Sequence, residues 1–413
     1  MLNSLLALII IISPVISKFT GLLIFNLGFS FSTTAENLLK EAVYILMCLF
    51  AVITLSIFKK SNIRVLKGLI IFICIVCFLS VISVFRGVPI ASVILAIRND
   101  AVFGVCILVG FFYIKKRLFI GALKTIFVIS MIVLSVEILL SPDSFWGKMN
   151  YFDYYLYRQD LAIERSDGRF VGYYNQYEVE NVFRVFDKIS QTGVYHYRYG
   201  SIIGEPIIFG HFFASMVLIL FVNVRKKISK LLLIALMLIA VFMSHSKGCM
   251  VSILIYFGTV LFFNKKRLRI PIILVSLVGL SLFIVDAFSA QTSSVGHILN
   301  LLDAYNILIA NPLFGIGMGI SGKLTDDSFV GRLISDGGLI LVFGYLFFIF
   351  SLFKQFKNNN KINEVGITFA AFIPTLLSTG AVNFLSMYLF CIYFGLQLRL
   401  LKPYTIEIKS CAT

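Results

Sequence analysis

Long apolar runs, broken by short polar clusters, organise the whole chain. Uncharged stretches such as Gly68 to Phe85, Leu231 to Met243 and Pro271 to Val285 recur along its length, and about 20 helical residues suffice to cross the hydrocarbon core of a bilayer. The run from Val365 to Leu398 is too long for a single crossing, because its 34 residues at ~1.5 Å each would reach ~51 Å. It predicts a helical hairpin, broken near "STGAVNF". Placed coarsely, the spans run 2–17, 41–58, 67–85, 99–114, 118–140, 205–223, 231–245, 248–263, 270–287, 331–353, 365–382 and 384–398. The opening "MLNSLLALIIIISPVISKF" lacks the basic start of a cleavable signal and reads as the first span.

Composition points the same way. Of 413 residues, 59% are hydrophobic and 14% charged, against about a quarter charged in soluble domains. The fold class expected is an all-α polytopic integral membrane protein with about twelve transmembrane helices and two large outer loops. That divides the chain into helices 1–5 (1–140), a first large loop (141–201), helices 6–9 (202–287), a second loop (288–330), and helices 10–12 with a tail (331–413).

Charge sidedness sets the orientation. With the N-terminus cytoplasmic, 22 of the 36 basic residues but only Glu364 and Glu407 of the 20 acids fall on the inner face, as the positive-inside rule requires. Both termini are then cytoplasmic. The net charge of +16 is spread over short loops that face anionic lipid, so it gives no reason to expect nucleic acid. All seven cysteines fall in spans or the tail, which implies no disulfide framework. Cys74 and Cys77 form a CxxC within an apolar helix and read as packing.

The first loop carries ten of the eighteen tyrosines, interleaved with carboxylates and arginines. Such a mixture suits either a carbohydrate surface or an interfacial aromatic belt with a folded loop. More telling are ionisable groups inside or beside the spans, which cost several kcal/mol unless paired or facing a watery cavity. They are Arg98 and Asp100 in "AIRNDAVFG", Arg198, Glu205 and His211 in "RYGSIIGEPIIFGHFFA", His245 and Lys247 in "MSHSKGCM", and Asp326, Asp327, Arg332 and Asp336 in "TDDSFVGRLISDGG". All are expected near the outer ends of spans, converging on one outward pocket. Arg holds phosphate oxygens bidentately and Lys adds a point charge, so such a pocket suits a diphosphate. Glu205-Pro206 also reads as a helix start, with Pro in the first turn and a carboxylate at the positive helix end. No His/Cys cluster has ligand spacing; Asp326-Asp327 is the candidate for Mg²⁺, and neither metal nor cofactor is expected.

"RYGSIIGEPIIFGHFFA", "SHSKGCMVSIL", "ANPLFGIGMG" and "DDSFVGRLISDGGLILVFGYLFFIF" follow one another in the order seen in the O-antigen ligase/polymerase superfamily, and the resemblance covers roughly residues 198–353. The superfamily's ligases typically carry a His-Asn pair where this chain has Asp327-Ser328, so the chain resembles a Wzy-type polymerase of O-antigen or capsular repeat units. The resemblance implies a GT-C-like membrane fold in the bacterial inner membrane, with both large loops periplasmic. It implies transfer of a growing glycan from undecaprenyl diphosphate to the non-reducing sugar of an incoming lipid-linked repeat unit. Its partners would be those lipid-linked units, membrane lipids, and a chain-length regulator and flippase of the same pathway. On that reading Arg98, Arg198, Lys247 and Arg332 hold the diphosphate, and Glu205, Asp327 and His211 are the candidate bases. The rival outside enzymology is a lipid-linked oligosaccharide flippase or other transporter, which would favour internal symmetry that the chain does not display.

Overall fold

The computed structural model describes residues 2–29, 60–151, 153–154, 156–157, 184–186, 195–244, 246–263, 293–320, 329–376 and 384–401. The helices in order are α1 (Leu2–Asn26), α2 (Lys60–Phe85), α3 (Ile90–Phe112), α4 (Lys116–Leu140), the short α5 (Pro142–Lys148), α6 (Pro206–Asn223), α7 (Lys227–Ser244), α8 (Lys247–Phe263), α9 (Ser293–Ala310), α10 (Phe329–Asn358), α11 (Ile362–Phe372) and α12 (Phe384–Leu400). Among the described residues, β1 (Arg184–Phe186) and β2 (Tyr195–Tyr197) form one short antiparallel pair. Ten of the predicted spans coincide with described helices; those at 41–58 and 270–287 lie outside the described residues. Six of the described helices are long and apolar enough to cross a membrane. The chain is a membrane-embedded helical protein.

Inner and outer helices are told apart by pattern. Along α6 every residue from Phe209 to Leu220 is buried, and α12 is buried almost throughout, so neither carries a polar or lipid-facing stripe. By contrast α4 buries Phe119, Ala122, Leu123, Ile126, Ser130, Leu134 and Glu137, a stripe at helical spacing. Its other face shows Val128, Ile129 and Ile132, as α7 shows Leu231, Leu232 and Phe242. In water such exposed apolar faces would be costly; in a bilayer they are solvated by acyl chains.

Small residues let the central helices touch. A Cβ added to Gly395 of α12 would stand 2.6 Å from the Phe111 nitrogen on α3, and one on Gly110 would stand 2.9 Å from the Ile392 carbonyl carbon. Backbones therefore pack directly, the small-residue mode of helix association in lipid. Helix α12 also packs against α6, and so lies between α3 and α6.

Short turns at 113–115, 224–226 and 359–361 make consecutive helices antiparallel. Arg399 at the end of α12 donates to the Ile114 carbonyl (2.8 Å), and Lys357 of α10 lies over Phe263 at the end of α8. One end of the bundle thus gathers Lys115, Lys116, Arg117, Arg225, Lys226, Lys227, Lys357, Lys361 and Arg399. The opposite end carries Glu137, Arg198, Glu205 and the start of α8.

Three expectations change. α1 runs on to Asn26 rather than ending at 17, since Lys18 is paired within the bundle (below) and Ser17 Oγ satisfies the Pro14 carbonyl (2.9 Å). α3 starts at Ile90 instead of 99, which puts Arg98 and Asp100 well inside the helix, not at its outer end. Cys74 and Cys77 are exposed on α2 and do not pack.

Candidate functional site

A carboxylate in the last turn of α4 anchors the entry to α6. Glu137 is fully buried; its Oε1 accepts from Trp146 Nε1 (2.7 Å) and the Gly200 N–H (3.0 Å), and its Oε2 accepts from the Ser201 N–H (2.7 Å). Ser201 sits at φ 45°, left-handed for a residue with a side chain, and its Oγ donates to the Ser130 carbonyl (2.7 Å). Such a conformation persists only where its surroundings fix it. After the 3₁₀ turn Ser201–Ile203, Gly204 at φ 69° lies against Trp146 and Tyr151, and Glu205 caps α6 with Pro206 in the first turn, the helix start that the sequence predicts. The partner of Glu205 is Lys18 of α1, whose ammonium also lies 5.6 Å from the Tyr151 ring.

The tyrosines nearest this anchor are not a sugar platform. Trp146, Tyr151 and Tyr154 are fully buried and pack with Leu22 and Phe145, and the Tyr151 hydroxyl donates to the Gly204 carbonyl (3.0 Å). The recess among Lys18, Trp146, Tyr151 and Ile202 has no room for even a water-sized sphere. It is a packing feature.

Beside the anchor, Arg198 meets the turn between α7 and α8. The Tyr199 N–H donates to the Met243 carbonyl (3.0 Å), which lays Arg198 alongside the corner at residues 243–248. Burial pushes the Arg198 guanidinium below its ordinary value and the Tyr199 phenol above its own. Among the described residues Arg198 Nε has no partner. The same corner receives α6, because a Cβ on Gly210 would stand 2.6 Å from Ser244 Oγ and one on Gly248 would stand 2.7 Å from His211 Nε2. His211 is 5% exposed and Ser246 2%, yet His211 Nε2 and Ser246 Oγ also lack partners among the described residues. Lys247 opens α8 here; its side chain lies outside the described residues.

A second polar node sits between α3 and α10. Arg332, in the first turn of α10, forms an ion pair with Asp100 and lies 4.9 Å from the Phe329 ring. The glycine-rich segment "NPLFGIGMGI" packs on α10 just beyond: the Gly319 N–H donates to Asp336 Oδ1 (3.0 Å), the Ile316 N–H to the Ser335 carbonyl (2.7 Å) and the Leu339 N–H to the Pro312 carbonyl (2.9 Å). Gly338 breaks α10 at φ 59° to admit it. Arg86 fastens the other side by donating to the Gly315 carbonyl (2.9 Å).

Of the residues expected to share one pocket, His211 lies against the start of α8, the segment after Arg198 is bonded to the end of α7, and Glu205 pairs with Lys18. Arg332 belongs with Asp100, because a buried carboxylate needs compensation and the guanidinium supplies it. Arg98 stands on α3 two residues, about half a turn, before Asp100, its side chain outside the described residues, as are Asp326, Asp327 and His245 entirely. Two residues at the centre of the anchor were not singled out from the sequence: Lys18 in "VISKFT" and Glu137 in "LSVEILL". Each is a lone charge inside an apolar run, and the cost argument applied to the other charges would have found both. No known family model matches this chain, and no curated protein does.

Proposed function

We propose that this chain is a glycan polymerase of the bacterial inner membrane, which transfers a growing chain from undecaprenyl diphosphate to an incoming lipid-linked repeat unit. The observation that carries the reading is the pair His211 and Ser246, which bring buried polar atoms with no partner among the described residues to the N-terminal end of α8, beside the end of α7 to which the segment after Arg198 is bonded. Buried polar groups are normally satisfied within the protein, and this combination of guanidinium, imidazole and helix N-terminus suits an anion. The order of motifs from Arg198 to Phe353 supports the same class. So does the clustering of basic residues at the opposite end, which by the positive-inside rule favours that end as the cytoplasmic one and this corner as periplasmic.

The chemistry follows from those groups. The hydroxyl oxygen of the acceptor sugar attacks the anomeric carbon of the donor, the bond from that carbon to the diphosphate breaks, and the diphosphate leaves with the electron pair. Arg198 and Lys247 stabilise the leaving charge, with Arg98 as a further cation. His211 Nε2 takes the hydroxyl proton, Asp327 being the alternative base. Glu205, committed to Lys18, anchors the start of α6.

Purified protein given lipid-linked repeat unit in detergent is expected to build a ladder of longer glycans and release undecaprenyl diphosphate. Transbilayer movement of the lipid in vesicles, with no ladder, would replace this reading with a flippase.

A further inference from the structure

Arg198 carries a functional group on a segment held by two helices, α7 and α4. The Tyr199 N–H is tied to α7 through Met243, and the Gly200 and Ser201 N–H groups are tied to α4 through Glu137. The Ser201 hydroxyl is tied to the Ser130 carbonyl. Of these ties the one through Glu137 is the costliest to build. A carboxylate in the last turn of α4 faces the negative end of that helix and is desolvated in a membrane-embedded bundle. Its compensation is three donors, two of them the amides that come two and three residues after Arg198.

We propose that Glu137 is a positioning residue: by fixing the Gly200–Ser201 turn it aims the Arg198 guanidinium at the corner beside His211 and Lys247. The inference rests on the diphosphate reading above. Glu137 itself touches no reacting group; it acts through the backbone of the Arg198 segment. Glutamine is nearly isosteric but presents one oxygen and one N–H₂ group, so either rotamer opposes a donor to at least one of the three N–H groups. A second perturbation reaches the same turn without touching the carboxylate. A Cβ at Gly200 would stand 2.9 Å from the Gly204 carbonyl carbon and 3.0 Å from the Glu205 nitrogen, which forces the turn to shift.

The test measures binding of tritiated farnesyl diphosphate to purified full-length protein, with hydrogen exchange over the 198–205 peptide as the structural readout. Glu137→Gln and Gly200→Ala are each expected to speed exchange there and to weaken the probe's Kd about tenfold, the scale of one misdirected charge-assisted hydrogen bond. In an Arg198→Ala background, Glu137→Gln should weaken Kd no further, because the two residues act as one unit. An unchanged Kd in Glu137→Gln, or an equal loss in both backgrounds, overturns the positioning role. Failure of the wild-type protein to bind the probe overturns the diphosphate reading itself, and this inference with it.

Discussion

Arg332 in the first turn of α10 is paired with Asp100, ten residues and so about 15 Å into α3. The Asp100 side chain is 1% exposed and that of Arg332 22%, so the carboxylate is the member that cannot reach water. The pair joins a helix of the first half of the chain to one of the second. It also commits a cation that would otherwise be free for substrate.

Breaking the pair should therefore cost stability before it costs chemistry. Arg332→Ala leaves Asp100 buried and uncompensated, and is expected to destabilise the purified protein by about 3 kcal/mol. Replacing both residues with leucine should recover most of that loss. Thermal unfolding of the two single variants and the double variant checks this; a double variant as unstable as the sum of the singles would deny the coupling.

How much of this was legible in the sequence depends on what each residue answers to. The helices were legible because an apolar run of helical length has few alternatives in lipid, and the α6 start was legible because Glu205-Pro206 states it locally. The α3 start was not: "RND" looks like the polar edge of a span, and only Arg332, 232 residues away, makes it tolerable inside one. Pairings of this kind are properties of packing. The same holds for Lys18 with Glu205 and for Glu137 with the Gly200–Ser201 turn. Between the two readings of the tyrosine-rich loop, Tyr151 and Tyr154 fit the folded loop, because they turn inward.

The glycines of the α10 break differ sharply from those that merely lie in helices. At Gly338 the backbone is at φ 59° and a Cβ would come 2.6 Å from the Leu313 carbonyl carbon and 2.7 Å from the Gly315 nitrogen. Gly338→Ala should lower stability by about 2 kcal/mol or more. Gly121 in α4 has nothing within 4 Å of a Cβ, so Gly121→Ala should be neutral or stabilise by up to about 1 kcal/mol. Equal melting temperatures for the two variants would contradict the described packing of "NPLFGIGMGI" on α10.

At the corner, charge and fork geometry should separate. Arg198→Ala and Lys247→Ala are expected to abolish glycan elongation while the protein still inserts and migrates as a folded species. Arg198→Lys keeps the charge but loses bidentate contact, and should retain elongation reduced about tenfold or more. Chain lengths equal to wild type in both alanine variants would remove these residues from the diphosphate site.

Glu205 and His211 make opposite predictions for the proton. Glu205 is committed to Lys18, so Glu205→Gln should slow elongation no more than about tenfold, through a looser start to α6. The exchanged pair Lys18→Glu with Glu205→Lys should recover both stability and rate, because an anchor needs only opposite charges. A general base contributes about 10² to 10⁴ in rate, so His211→Ala should fall by that much. Single-turnover rates on one lipid-linked acceptor would decide between them: a loss of 10² or more in Glu205→Gln, not rescued by the exchanged pair, would move the base from His211 to Glu205.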